Sequence, residues 1–163
     1  QVRVRFIGRR TRPVPRRLVR LMERTEARTA RHRRLTLRIA FNYGARAELA
    51  DAAQRAAEDL AAGRLARVDE AALAARLADP EMPDVDLLVR TSGEQRVSNY
   101  LLWQAAYAEL VFVETLWPDF DREELARTVG VYQARDRRFG LAVDTPAAAD
   151  DGSEAGVDPP EAG

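Results

Sequence analysis

The sequence has no cysteine and no lysine. Without thiols, disulfides and thiolate metal centres are excluded, and a reducing compartment is expected. No apolar run approaches the ~20 residues of a membrane span, and no signal peptide is visible. The cytoplasm is therefore the expected location. All 26 basic residues are arginine, a bias that fits the abundance of alanine and points to codon usage before function.

What is present is charge, unevenly distributed. The chain has 163 residues and a net charge of zero, enough length for one domain with a real core. That zero hides an asymmetry. Residues 1–38 hold fourteen arginines against two glutamates, whereas Asp144 to Gly163 holds six acids and no base. A basic first third suits nucleic acid in principle. Its arginines lack interleaved aromatics and fall in an ordinary strand–helix unit, so no nucleic-acid partner is expected.

The chain opens with Gln1 and enters a strand pattern at once: "VRVRFI" (Val2–Ile7) alternates apolar residues with arginine and stops at Gly8. A helix is expected from about Pro15 to Arg33, with Leu18, Leu21 and Met22 on one face. "LTLRIAFNYG" (Leu35–Gly44) reads as a second strand. Ala47–Ala62 is rich in helix-forming alanine and stops at Gly63. Asp69 caps a short helix, "EAALAARLAD", closed by Pro80. "DVDLLVR" (Asp84–Arg90) is a third strand whose apolar centre reads as covered on both faces. From Ser98, "SNYLLWQAAYAEL" is apolar nearly all round, which predicts a buried helix capped by Ser98. "LVFVE" is a short fourth strand, and a last helix begins near Asp121 with acids in its first turn. After Leu141 the Ala/Pro/Asp/Gly-rich composition reads as a disordered acidic tail, residues 142–163. Strands alternating with helices predict an α/β fold with a mostly parallel central sheet flanked by helices.

The densest chemistry lies in "RTSGEQRVSNYLLWQAAYAEL" (Arg90–Leu110). Ligands of open parallel sheets bind beyond the carboxyl ends of the strands, and Arg90 closes one. Arginine meets phosphate oxygens with a planar fork of donors. Arg90 and Arg96 flank a turn containing Gly93, which lets both guanidinium groups come together, and Ser98 adds a hydroxyl. Glu109 is a candidate carboxylate for magnesium, which takes one or two carboxylates alongside phosphate oxygens and water. The plainer alternative has Arg90 and Arg96 paired with surface acids, Ser98 serving only as a cap and Glu109 ion-paired.

The run "DLLVRTSGEQRVSNYLLWQAAYAELVFVETLWPDF" closely resembles the signature of the cis-prenyltransferases, the undecaprenyl diphosphate synthase type. "RVRFIG", "LTLRIAFNYGARAELADA" and "RDRRFG" also match family segments, in family order, so the resemblance covers Val2 to Leu141. It implies a transferase that condenses isopentenyl diphosphate with an allylic diphosphate such as farnesyl diphosphate. It further implies a magnesium cofactor, a homodimer and peripheral membrane association through the lipid product. By position, Arg90, Arg96 and Ser98 would bind the diphosphate of isopentenyl diphosphate and Glu109 would be a magnesium ligand. Arg138-Phe139-Gly140 matches the family's R-x-G element, which places Arg138 and Gly140 at the diphosphate across a dimer interface. Trp103, Tyr107 and Trp117 are expected in the core or the dimer contact. Asn42 and Arg46, in "NYGAR", match a family turn and read as structural. Three departures stand out: Ala45 where the family has a second glycine, Gln95 where some members have histidine, and Tyr100 for phenylalanine. No "DGNGRWA"-like segment, which carries the family's catalytic aspartate, occurs in these residues. The expectation is a partial domain, residues 1–141, lacking the N-terminal strand–helix portion and inactive alone. The alternative expectation is a non-catalytic partner subunit of a heteromeric enzyme.

Overall fold

The computed structural model describes residues 1–135. Strand β1 (Val2–Ile7) is followed by helix α1 (Arg16–Thr29), strand β2 (Leu35–Ala40), helix α2 (Ala45–Ala61) and the short helix α3 (Glu70–Ala74). Strands β3 (Leu87–Arg90) and β4 (Glu109–Phe112), a 3-10 turn at Trp117–Asp119 and helix α4 (Arg122–Gln133) complete the described residues. Both strand pairs are parallel, β1 with β2 and β3 with β4. Among the described residues they form two two-stranded sheets.

The alternation in β1 has a direct structural reading. Arg5 lies opposite Arg38 in the parallel register, a like-charge pair that is unfavourable by itself. Asp79, from the turn after α3, is set between them. Its Oδ2 accepts from Arg38 Nε at 2.8 Å, and Arg5 Nη2 lies 3.2 Å from Oδ1. The second approach misses hydrogen-bond direction, so Oδ1 is bound by charge alone. The Asp79 side chain is only 2% exposed, and that burial is tolerated because two arginines neutralise it. Helix α1 protects the other edge of β1: Val4 N–H donates to Thr29 Oγ1 and Phe6 N–H to Glu26 Oε1. Met22 is the residue that α1 buries most completely.

Helix α2 begins at Ala45, the position where the resembling family has glycine, and buries Ala45, Glu48, Ala52 and Ala56 along one face. Small side chains on that seam allow close approach, and Asp59 at its far end accepts from Arg76 Nε at 2.8 Å and Arg64 Nε at 2.7 Å. Asp69 caps α3 by accepting from Ala72 N–H at 2.9 Å, and Asp121 caps α4 by accepting from the Glu123 and Glu124 N–H groups. Helix α3 is shorter than its alanine content predicts. Arg76 turns back to Asp59 and to the Ala72 carbonyl, and the chain leaves the helix there.

The ion pairs set an acid limit on stability. Hydrogen bonds from Arg76 and Arg64 hold the Asp59 carboxyl below its ordinary value of 3.8, and Arg9 does the same to Asp51. A depressed carboxyl takes up its proton more readily in the unfolded chain. Its stabilising contribution is complete above the ordinary value and is lost as pH falls through the folded one. Thermal stability should therefore fall from about pH 5 downward, with a shallower fall in Asp59→Asn. Identical acid profiles for the two proteins would contradict this account.

Candidate diphosphate site

The site begins at the carboxyl end of β3. Arg90 pairs in register with Phe112, and its carbonyl accepts from Val113 N–H at 2.8 Å. The chain then reverses at Ser92 and Gly93, both in the left-handed region with φ of 70° and 67°. Their N–H groups donate to the Thr115 and Val113 carbonyls at 2.9 Å each. The left-handed φ at Gly93 favours glycine there; a Cβ would sit 2.5 Å from Glu114 Oε2, the end of an exposed side chain that can move aside. After it, Arg96 returns to the same hollow as Arg90, a space of about 260 Å³ lined also by Thr91, Val97, Tyr100 and Trp117.

The two arginines are not equivalent. Arg90 is half-buried and has no carboxylate partner among the described residues. Arg96 is 64% exposed and pairs with Glu94, two residues before it. Such exposed pairs contribute little and exchange readily for a stronger anion. Burial pushes the Tyr100 phenol above its ordinary value, so it lines the hollow as a neutral group. A slightly larger hollow, about 290 Å³, lies beyond β1 and β2 and includes Arg9 and Arg10. Both of those arginines are already neutralised, by Asp51 and Glu26. The hollow at Arg90 keeps cationic capacity, as does one along α1 lined by Arg17, Arg20 and Arg24.

Ser98 does not start a helix. Ser98, Asn99 and Leu101 are all left-handed, with φ of 48°, 61° and 48°, and residues 98–107 form successive turns. The cause is tertiary: Asn99 bonds to the start of α2, and that contact overrides the helix propensity of "YLLWQAAYAEL". Only one helical turn survives, with Ala105 N–H donating to the Leu101 carbonyl at 2.8 Å. Burial is likewise partial. Leu101 and Gln104 are buried, while Tyr107 is 64% exposed. Trp117, expected in the core or the dimer contact, is 73% exposed among the described residues and stacks on Phe120 at 6.1 Å. The Ser98 hydroxyl is exposed, one residue beyond Val97 at the rim of the hollow.

Glu109 is placed away from this hollow. It opens β4 opposite Leu87, at the other end of the ladder from Arg90 and roughly 10 Å along the strands. Its Oε2 accepts from Arg135 Nη1 at 2.7 Å. No group of three acidic or imidazole side chains that could hold a metal occurs among the described residues. Glu109, the candidate carboxylate, is instead engaged by Arg135. Arg138 and Gly140 lie outside the described residues. Sequence reasoning missed Glu94, whose spacing from Arg96 was a visible signal, and Asn99, whose role depends on a helix start far away in the chain.

The described residues form a parallel α/β unit in which a half-buried arginine, without a carboxylate partner among them, closes a strand. The chain belongs to the undecaprenyl diphosphate synthase family, the cis-prenyltransferases: that family's model (Prenyltransf) matches residues 1–140. Isoprenyl transferase 1 of Streptomyces coelicolor is 54% identical over 144 residues, covering 87% of this chain and 52% of the relative. A trans,polycis-polyprenyl diphosphate synthase of Thermobifida fusca, specific for (2Z,6E)-farnesyl diphosphate, is 51% identical over 147 residues, covering 89% and 52%. Among solved structures, a probable undecaprenyl diphosphate synthase from Campylobacter jejuni matches with a TM-score of 0.77 at 36% identity, covering 86% of this chain and 64% of that one. Lavandulyl diphosphate synthase from Lavandula x intermedia, in complex with dimethylallyl diphosphate, matches with a TM-score of 0.81 at 31% identity, covering 86% and 61%. The chain thus spans about half the length of the curated relatives it matches. No helix among the described residues is long and apolar enough to cross a membrane.

Proposed function

We propose that this chain carries the isopentenyl-diphosphate half of a cis-prenyltransferase site. The observation that supports the reading is the half-buried Arg90, without a carboxylate partner among the described residues and sharing one hollow with Arg96. Arg90 supplies two forked charge-assisted hydrogen bonds to the diphosphate, and Arg96 joins after giving up Glu94. The Ser98 hydroxyl contributes from the rim. In the full reaction the bound isopentenyl group forms a carbon–carbon bond to the allylic carbon, the allylic diphosphate leaves, and a proton is lost.

The 163 residues contain no counterpart of the aspartate segment that the resemblance assigns to catalysis, so alone they are expected to bind diphosphate and turn nothing over. Magnesium belongs to this reading only with donors additional to the described residues, because Glu109 is occupied by Arg135. Arg138 and Gly140 would close the site from a second subunit, and the exposed Tyr107 and Leu116 suit such a homodimer contact. The test is calorimetric titration with isopentenyl diphosphate, alongside an incorporation assay with farnesyl diphosphate and magnesium. Saturable binding without turnover is the expected result. No binding overturns the site, and robust turnover overturns the claim that these residues lack part of the catalytic machinery.

A further inference from the structure

The segment that follows Arg96 is tied to the first turn of α2. Asn99 is left-handed, and it satisfies two N–H groups that a helix start leaves free. Its backbone carbonyl accepts from Ala45 N–H at 2.9 Å, and its Oδ1 accepts from Arg46 N–H at 2.8 Å. Helix α2 has no cap of its own, since Gly44 offers no side chain. The fit is close: a Cβ on Gly44 would lie 2.7 Å from Asn99 Nδ2. The cap is therefore delivered from another part of the chain, fifty-three residues away.

A second strut runs beside the first. Tyr43 donates its hydroxyl to Glu48 Oε2 at 2.6 Å and accepts a backbone hydrogen bond from Leu101. Glu48, itself buried, also accepts from Ala78 N–H at 2.9 Å and from Gln104 Nε2 at 3.4 Å. Burial first, and the Glu48 hydrogen bond second, push the Tyr43 phenol well above its ordinary value, so it remains a donor at any ordinary pH. The Tyr43 ring meets Tyr100 edge-on at 6.0 Å. Asn99, Tyr100, Leu101 and Gln104 all rest on residues 43–48.

We infer that Asn99 is a positioning residue for diphosphate binding, with Tyr43 as its companion. The pair fixes the left-handed path of residues 98–101, and that path sets where Arg96 and Ser98 stand relative to Arg90. Without the Asn99 side chain, less compensates Ser98 and Leu101 for left-handed backbone, which costs a non-glycine residue about 1 kcal/mol or more. The segment would relax toward the helix its composition favours and carry Arg96 with it. This inference rests on the diphosphate reading above, and its test separates the two.

The experiment compares the unsubstituted chain with Asn99→Ala and Tyr43→Phe, using inorganic diphosphate as the probe. Calorimetry should show binding about tenfold weaker in Asn99→Ala, the scale of one to two neutral hydrogen bonds. Hydrogen exchange at the Ala45 and Arg46 amides should slow when diphosphate is added to the unsubstituted chain. A purely structural cap would not respond to ligand in this way, whereas coupled sites must. Affinity unchanged in Asn99→Ala, or no ligand-dependent protection at Ala45 and Arg46, overturns the inference. If Asn99→Ala fails to fold, Tyr43→Phe decides: several-fold weaker binding supports the inference and unchanged binding refutes it. Absence of binding in the unsubstituted chain defeats the diphosphate reading instead. Exchange at Ala45 and Arg46 without ligand then tests the strut, with faster exchange in Asn99→Ala supporting it and equal rates refuting it.

Discussion

Arg90→Ala is expected to weaken binding of inorganic diphosphate by about 10- to 100-fold, the larger of the effects at the site. The magnitude follows from what is lost. A charge-assisted hydrogen bond to a buried or half-buried group contributes about 1.5–3 kcal/mol, and each 1.4 kcal/mol is a factor of ten. Arg90 is half-buried and, among the described residues, has no carboxylate to leave behind, so its interaction goes to the ligand. Arg96→Ala should cost less, because Arg96 is 64% exposed and must first part from Glu94. Salt should sharpen the contrast, since exposed charges are screened and partly buried ones much less so. Titrations of the two variants at low and high ionic strength check both points. Equal losses, or an Arg90→Ala variant that binds normally, would remove Arg90 from the centre of the site.

Asp79→Ala is expected to lower folding stability by about 3 kcal/mol, the low end of the range for breaking a buried ion pair. Among the described residues Asp79 is the only carboxylate in bonding contact with Arg38, and it sits within 3.2 Å of Arg5. Its removal leaves two arginines opposite each other in the β1–β2 register. The low end applies because the arginine side chains keep 28% and 18% exposure, so water recovers part of the loss. Glu81, 61% exposed and 3.6 Å from Arg5, offers only weak replacement. Urea unfolding is the measurement, and a midpoint shift below about 1 kcal/mol would show that solvent already carries these charges. Replacing all three residues by apolar ones of similar volume should recover much of the stability, since a buried ion pair is often no better than good packing.

Much of this was legible along the chain because the governing interactions are local. The arginine–apolar alternation of "VRVRFI" marks β1, Asp69 and Asp121 stand three residues ahead of helical N–H groups that need them, and Gly93 sits where φ must be positive. The alternation of strands with helices extended the reading to parallel pairing, and the spacing around Gly93 to the Arg90–Arg96 turn. Local reasoning failed at "SNYLLWQAAYAEL", whose composition favours a helix that the structure does not form. Helix propensity there amounts to a few tenths of a kcal/mol per residue, less than the tertiary hydrogen bonds of Asn99 and Tyr43 that oppose it. Trp117, expected in the core or the dimer contact, is exposed among the described residues.

By itself, then, the sequence determined the order of strands and helices, their caps, and the residue types able to grip a diphosphate. Each depends on groups a few positions apart, where backbone geometry leaves little choice. Only the tertiary structure decided which of those residues share a hollow. It brought Arg96 back to Arg90, sent Glu109 to the far end of the ladder to meet Arg135, and set Asn99 on the first turn of α2. These placements come from contacts between segments tens of residues apart. Their energies depend on burial and on the precise approach of charged and polar groups, which no local pattern encodes.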